Sequence, residues 1–128
     1  MSQSQYSGSK GYKATAALAE GVLVKLSAGN VVVATAATDR VIGITENSCE
    51  ASEVVSVRLL SSGGTAKVKA GAAFAVGVFL TSDATGRVVT ATAAIAGAVP
   101  LTVVSGQAVE AAVAANDLVE VLLAHFMI

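Results

Sequence analysis

The sequence predicts an all-β protein, a small β-barrel or sandwich built from two repeated strand-turn-strand halves. Three observations predict it. The chain repeats itself, its apolar residues are mostly Val and Ala in short runs, and Gly, Ser, Asn and Asp punctuate those runs. The repeat is the strongest of the three. Gly21-Val-Leu-Val-Lys-Leu-Ser-Ala-Gly29-Asn-Val-Val-Val-Ala-Thr-Ala-Ala37 returns as Gly77-Val-Phe-Leu-Thr-Ser-Asp-Ala-Thr-Gly86-Arg-Val-Val-Thr-Ala-Thr-Ala-Ala94. Val31 matches Val88, an offset of 88 − 31 = 57. Ser52-Glu-Val-Val-Ser-Val-Arg-Leu-Leu60 returns as Asn116-Asp-Leu-Val-Glu-Val-Leu-Leu123, with Glu53 matching Asp117 at 117 − 53 = 64. The difference of seven fits an insertion near Ile95–Leu101. Self-similarity of this period marks two copies of one supersecondary unit. The copies span about 20–60 and 76–123 and are expected to be related by an approximate two-fold.

The elements follow in order. Glu20–Leu26 alternates around Val22, Val24 and Leu26, the period of a half-buried strand. Ser27-Ala-Gly-Asn30 is a turn, because Gly29 and Asn30 tolerate positive φ, and Val31–Ala36 returns as a hairpin. Arg40–Glu46 is a strand in which Gly43 predicts a bulge or a close backbone approach. Glu53–Leu60 is rich in β-formers and reads as a central strand. Ser61-Ser-Gly-Gly64 is a flexible turn, and Thr65–Ala70 alternates Ala and Val with Lys. In the second copy Ser82-Asp-Ala-Thr-Gly86 turns with one extra residue. Gln107-Ala-Val-Glu-Ala-Ala-Val-Ala-Ala115 has high helix propensity. The repeat overrides it and predicts a strand from Gln107 and a loop across Ala111–Ala115, with room for a one-turn helix.

Two regions are expected: an extended arm over residues 1–13 and a single all-β domain over residues 14–128. Met1–Lys13 is rich in Ser, Gln and Gly, with Tyr6 and Tyr12 as its large apolar groups and Lys10 and Lys13 as its charges. Such a segment does not order by itself. It is therefore a candidate docking arm. The last residues, Phe126, Met127 and Ile128, form a second candidate partner surface.

Composition supports a protein that buries surface against partners. The chain of 128 residues is 54% hydrophobic and 13% charged, with a mean hydropathy of +0.71. Ordinary domains carry ~25% charged residues. Apolar surface that charge cannot cover marks interfaces, so a homo-oligomer is expected. Lys25, Arg40, Arg58, Lys67, Lys69 and Arg87 are scattered and the net charge is −1. No basic face for nucleic acid is predicted. The apolar stretches Gly71–Leu80 and Ala93–Val104 are too short or too interrupted to span a bilayer. The first ten residues lack the apolar core of a secretory signal. Cys49 is the sole cysteine, which excludes an intrachain disulfide and fits synthesis in a reducing compartment.

The chemistry-bearing residues are sparse. His125 is the one histidine, and no His/Cys cluster exists to ligate zinc. No acid near His125 in sequence suggests a nucleophilic triad. Glu46 and Glu110 occupy matching repeat positions, as do Glu53 and Asp117. Such pairs more often fill one solvent-facing slot twice than perform acid–base work. Ser61-Ser-Gly-Gly64 lacks the Lys-Ser/Thr of a phosphate cradle. The expectation is no catalytic residue, no cofactor and no metal.

Four runs carry a resemblance: Val41-Ile-Gly-Ile-Thr45, Gly77–Thr90, Gly106-Gln-Ala-Val-Glu-Ala-Ala112 and Asp117-Leu-Val-Glu-Val-Leu-Leu123. Their layout resembles the small capsid decoration, or head-stabilisation, proteins of tailed bacteriophages over roughly Glu20–Leu123. The N-terminal arm departs from that pattern. The resemblance implies an all-β protomer, usually trimeric, bound to the major capsid protein outside the shell at local symmetry axes. It would be made in the bacterial host cytoplasm and reside on the virion exterior. On this reading Tyr6, Lys10, Tyr12, Lys13, Phe126, Met127 and Ile128 form the capsid or partner interface. A head-fibre base or tail module is the first alternative. A carbohydrate-active or small-ligand β-barrel enzyme is a second, opposed by the absence of Trp. An ice- or surface-binding protein is a third, prompted by the Ala/Thr runs at Ala34–Thr38 and Thr90–Ala94.

Overall fold

The computed structural model describes residues 8–93 and 101–128. Ten strands follow in chain order: β1 Ser9–Lys13, β2 Leu23–Ser27, β3 Asn30–Val33, β4 Val41–Thr45, β5 Val54–Leu59, β6 Thr65–Lys69, β7 Phe79–Ser82, β8 Val88–Thr90, β9 Val103–Ala108 and β10 Leu118–Met127. A 3-10 turn, Leu60–Ser62, joins the halves. The strands form two five-stranded antiparallel sheets, ordered β1-β5-β4-β2-β3 and β6-β10-β9-β7-β8. The architecture is sandwich-like rather than a closed barrel.

The repeat holds in topology and in the register of the pairs that the two sheets share. Lys13 pairs with Val54 as Lys69 pairs with Leu118. Val24 pairs with Gly43 as Leu80 pairs with Gly106. Bridges outside the strands repeat too: Ala14 with Val31 matches Ala70 with Val88, and Leu18 with Cys49 matches Phe74 with Ala112. Even Ser52 and Asn116 share a positive φ, at 69° and 72°. The Leu59 amide donates to the Gly8 carbonyl as the Leu123 amide donates to Gly64. The copies therefore begin at Gly8 and Gly64, well before residues 20 and 76.

That extent changes the reading of the N-terminus. Ser9–Lys13 is not an arm with no sheet to join. It is the edge strand of the first sheet, paired with β5 over its whole length. A boundary at Lys13 would cut off one strand of five. Residues 1–7, including Tyr6, lie outside the described residues, as do residues 94–100, where most of the expected insertion falls.

Local chemistry explains the strands and turns. In β10, Val119, Val121 and Leu123 face the core while Leu118, Glu120 and Leu122 face outward, the alternation of a one-sided sheet. Ala28 and Gly29 both have positive φ, as a two-residue hairpin turn of the primed type requires. The second hairpin holds one more residue, with Gly86 at φ 78°. Gly43 combines both expected roles: the register shifts beside it, and β5 backbone crowds its Cα. The Ala-rich segment forms no helix. Its strand starts earlier than expected, at Val103, and ends at Ala108.

The Asp83 carboxylate holds the second hairpin. Its Oδ1 accepts from the Thr85 and Arg87 amides at 2.8 and 2.9 Å, and its Oδ2 from Arg87 Nε at 3.0 Å. Burial raises its pKa, but the Thr85 and Arg87 amides and the guanidinium outweigh that and hold it below its ordinary value. A depressed pKa stabilises the fold above the unfolded value and loses that contribution as pH falls through the folded one. Asp83→Ala is expected to cost about 1–3 kcal/mol near neutral pH. It should also lose less stability than the wild type on acidification below the ordinary aspartate value of 3.8. Melting temperatures at about pH 7 and about pH 3 check both.

Two apolar clusters form the interior. One lies within the first half, around Leu18, Val24, Val31, Val55 and Val57. The other fills the second half with Val68, Leu80, Val88, Val119 and Val121, and takes in Leu23, Ala34, Val41, Ile44 and Leu60 of the first. The second cluster is thus also the join between halves. The join does not obey a two-fold. A two-fold relation would make every cross-half contact twice. Here the Leu23 amide donates to the Gly86 carbonyl at 2.7 Å and the Lys69 amide to the Gly21 carbonyl at 2.8 Å. Neither reciprocal bond, Phe79 to Gly29 or Lys13 to Gly77, is made among the described residues. The halves sit head to tail.

Candidate functional site

Of the expected interface residues, Lys10, Tyr12 and Lys13 lie along the edge strand β1, and Phe126, Met127 and Ile128 lie at the end of β10 and just past it. On β1, Lys10 and Lys13 are exposed, and Lys10 Nζ sits 5.3 Å from the centroid of the Tyr12 ring. Tyr12 is half-buried against the first-half cluster. Phe126 and Met127 are exposed on β10, and the Ile128 amide and carbonyl both bond to Thr102. The structure brings the two segments near each other through a different residue. A cavity of about 360 Å³ is lined by Tyr12, Arg40, Ile42, Leu59, Leu60 and His125, among others. His125 reaches the cavity that Tyr12 lines. Phe126, its neighbour on the strand, stacks edge-on against Phe79, with centroids 5.1 Å apart.

Phe79 and Leu122 are the residues that sequence reasoning missed. Phe79, Gln107 and Leu122 lie side by side across β7, β9 and β10. Phe79 and Leu122 are each 43% exposed, and Phe126 adds to the stripe. The repeat could not single them out. Phe79 occupies the place of Leu23, which is fully buried, and both are large and apolar.

Glu53 and Asp117 hold matching places, but Glu46 and Glu110 do not: the offset of 63 that sets Gly43 against Gly106 and Cys49 against Ala112 sets Asn47 against Glu110. All four carboxylates accept local hydrogen bonds. Glu53 Oε1 accepts from the Glu50 amide at 2.7 Å, and Asp117 Oδ2 from the Val113 and Ala114 amides at 3.0 and 3.1 Å. Glu46 Oε1 accepts from the Ser56 hydroxyl at 2.6 Å. Glu110 Oε1 accepts from the Glu120 amide at 2.7 Å and from Lys67 Nζ at 2.9 Å. The Ser56 hydroxyl holds the Glu46 pKa below its ordinary value, and the Lys67 ammonium does the same for Glu110. Both groups are held ionised, the opposite of a carboxyl tuned as a general acid. Cys49 is half-buried and its backbone pairs with Leu18. No cluster of three metal-ligating side chains occurs among the described residues. No helix among them is long and apolar enough to cross a membrane.

No curated protein matches the chain. A solved structure of the head fiber gp8.5 N base of bacteriophage phi29 shares its fold. The TM-score is 0.71 at 22% identity, over 94% of this chain and 96% of that one. The family of phage cement proteins matches over residues 7–123, from just before β1 into β10. A match over nearly the whole described chain places it among phage capsid structural proteins: the chain belongs to the phage cement protein family.

Proposed function

We propose that this chain binds the outer surface of a phage capsid and cements the shell, as a trimer, without catalysing a reaction. Family membership carries the reading, and the exposed apolar stripe Phe79–Leu122–Phe126 on a chain of low charge supports it. A protein bound only to the mature shell stabilises that shell by mass action against internal pressure. Lys10, Tyr12 and Lys13, exposed or half-exposed along an edge strand, are suited to meet acidic capsid groups, together with Tyr6 and the tail Phe126-Met127-Ile128. Capsids lacking the protein, titrated with it, should bind it saturably and break open at a higher temperature. Reversing charge with Lys10→Glu and Lys13→Glu should weaken binding on the order of tenfold, chiefly through association rate. His125→Ala, Cys49→Ser and Glu46→Gln should bind as the wild type does. Capsids that neither bind the protein nor gain stability from it would refute the reading.

A second reading is the base of a head fibre, anchoring a further projection to the shell. One observation favours it: the likeness in fold to the phi29 head fiber base over nearly the whole of both chains. A particle in which further protein density rises from each copy would decide for it.

A further inference from the structure

The join between the halves is one-directional, and a one-directional join leaves two faces unused. The used face of the first half is the outer row Leu23–Ile44 with Gly21 beside it. Leu23 and Ile44 are 0% and 1% exposed, and both belong to the cluster that second-half residues fill. The used face of the second half is the β6 edge and the Gly86 turn. A Cβ placed on Gly86 would come within 2.9 Å of the Leu23 carbonyl oxygen, and one on Gly21 within 3.1 Å of Leu118.

The counterparts of these faces are open. On the second half, the row Phe79–Gln107 is the counterpart of Leu23–Ile44, and Phe79 is 43% exposed. On the first half, β1 and the Gly29 turn are the counterparts of β6 and the Gly86 turn. Val54, which takes the place of Leu118, is 67% exposed, against 49% for Leu118. A Cβ on Gly29 or Gly77 would meet no described atom within 4 Å. The Gly77 carbonyl accepts from Gln107 Nε2 at 3.0 Å, where Gly21 accepts from the edge amide of Lys69. A carbonyl oxygen has a second lone pair for an edge amide.

We propose that the partner for these faces is a second copy of this chain, seated by the same join that holds the two halves together. β1 and the Gly29 turn of one copy dock on the Phe79–Leu122 stripe of the next. The register, the backbone donors and acceptors and the glycine turns that make the join inside the chain all have counterparts at the open faces. Repeated through the trimer proposed above, joins within and between chains alternate around the axis. The inference names the faces of that trimer and uses no capsid, so its failure is read separately from a failure of capsid binding.

The test uses the full-length chain in a Cys49→Ser background. Val54→Cys and Val76→Cys place single thiols at exposed positions on the two opposite faces, Val76 being one residue before Gly77. Each variant alone, and an equal mixture, is treated with a short bismaleimide. Cross-linked dimer from the mixture and none from either variant alone is the expected result, because the two faces are unlike. Cross-linking of either variant with itself, or no product from the mixture, overturns the proposal. Sedimentation provides the second measurement. Phe79→Asp, at an exposed site, should weaken self-association on the order of tenfold or more. A wild-type chain that stays monomeric at every concentration also overturns it.

Discussion

Gly43→Ala is expected to unfold the protein, or to cost about 3 kcal/mol or more where a folded population survives. The added methyl would collide with the Arg58 carbonyl oxygen and carbon and with Val57 Cγ1. The first two are backbone of the paired strand and cannot swing aside as a side-chain tip does. Gly43 has no positive φ, so the cost is steric and not conformational. Gly106 is the control, at the same place in the second sheet. There the nearest atom is the Leu122 carbonyl oxygen at 3.0 Å, and the next lie at 3.6 Å. Gly106→Ala should cost about 1–2 kcal/mol. Urea titration of both variants separates them, and equal losses would contradict the crowding at β4–β5.

Leu23→Ala should be the most damaging truncation in the join, at about 2–5 kcal/mol. Leu23 has no exposed surface, its amide binds the second half, and its side chain belongs to the cluster that spans both halves. Phe79 holds the matching place and is exposed. Phe79→Ala should cost the monomer about 1 kcal/mol or less, mainly its edge contact with Phe126. Chemical denaturation at low protein concentration measures both without self-association. A Phe79 loss as large as that of Leu23 would mean that the second-half stripe is already covered within one chain.

The contrast between these two residues shows where sequence stops informing. Leu23 and Phe79 both follow Gly-Val and both precede an apolar residue, and period and propensity treat them alike. What separates them is which neighbour lies over each row, and that depends on the direction of the join. The strands and turns were legible for the opposite reason. Gly29 and Gly86 were marked as turn residues because a positive φ selects glycine wherever it occurs. The Ala-rich segment after Gln107 was kept from helix by the repeat, since β10 could take its register only behind a loop. β1 was missed because an edge strand shows one side to water. Of Ser9-Lys-Gly-Tyr-Lys13, Tyr12 alone packs on the core, too little for a periodic signal. Lys13-Ala-Thr-Ala-Ala-Leu18 against Lys69-Ala-Gly-Ala-Ala-Phe74 held the missing alignment. Of the candidate interface, the β1 lysines and the tail were legible as exposed charge and terminal apolar residues. Leu122 was not, being one of a run of apolar residues whose outward member is chosen by register.

The shared register has a kinetic consequence. During folding, β5 and β10 meet two strands, β1 and β6, that fit either of them in backbone geometry. A chain that pairs β1 with β10 closes a sheet of correct register from the wrong halves and must reopen it. Native contacts that compete with near copies of themselves roughen the landscape. The side chains that differ between the copies decide the contest. Thr65 bonds to Glu120 and Lys67 to Glu110, whereas the matching places in the first half hold Ser9 and Ser56, and Gly11 and Asn47. Divergence between the two copies, which looks like decay of an old duplication, thus acts as an address label that sends each edge strand to its own sheet.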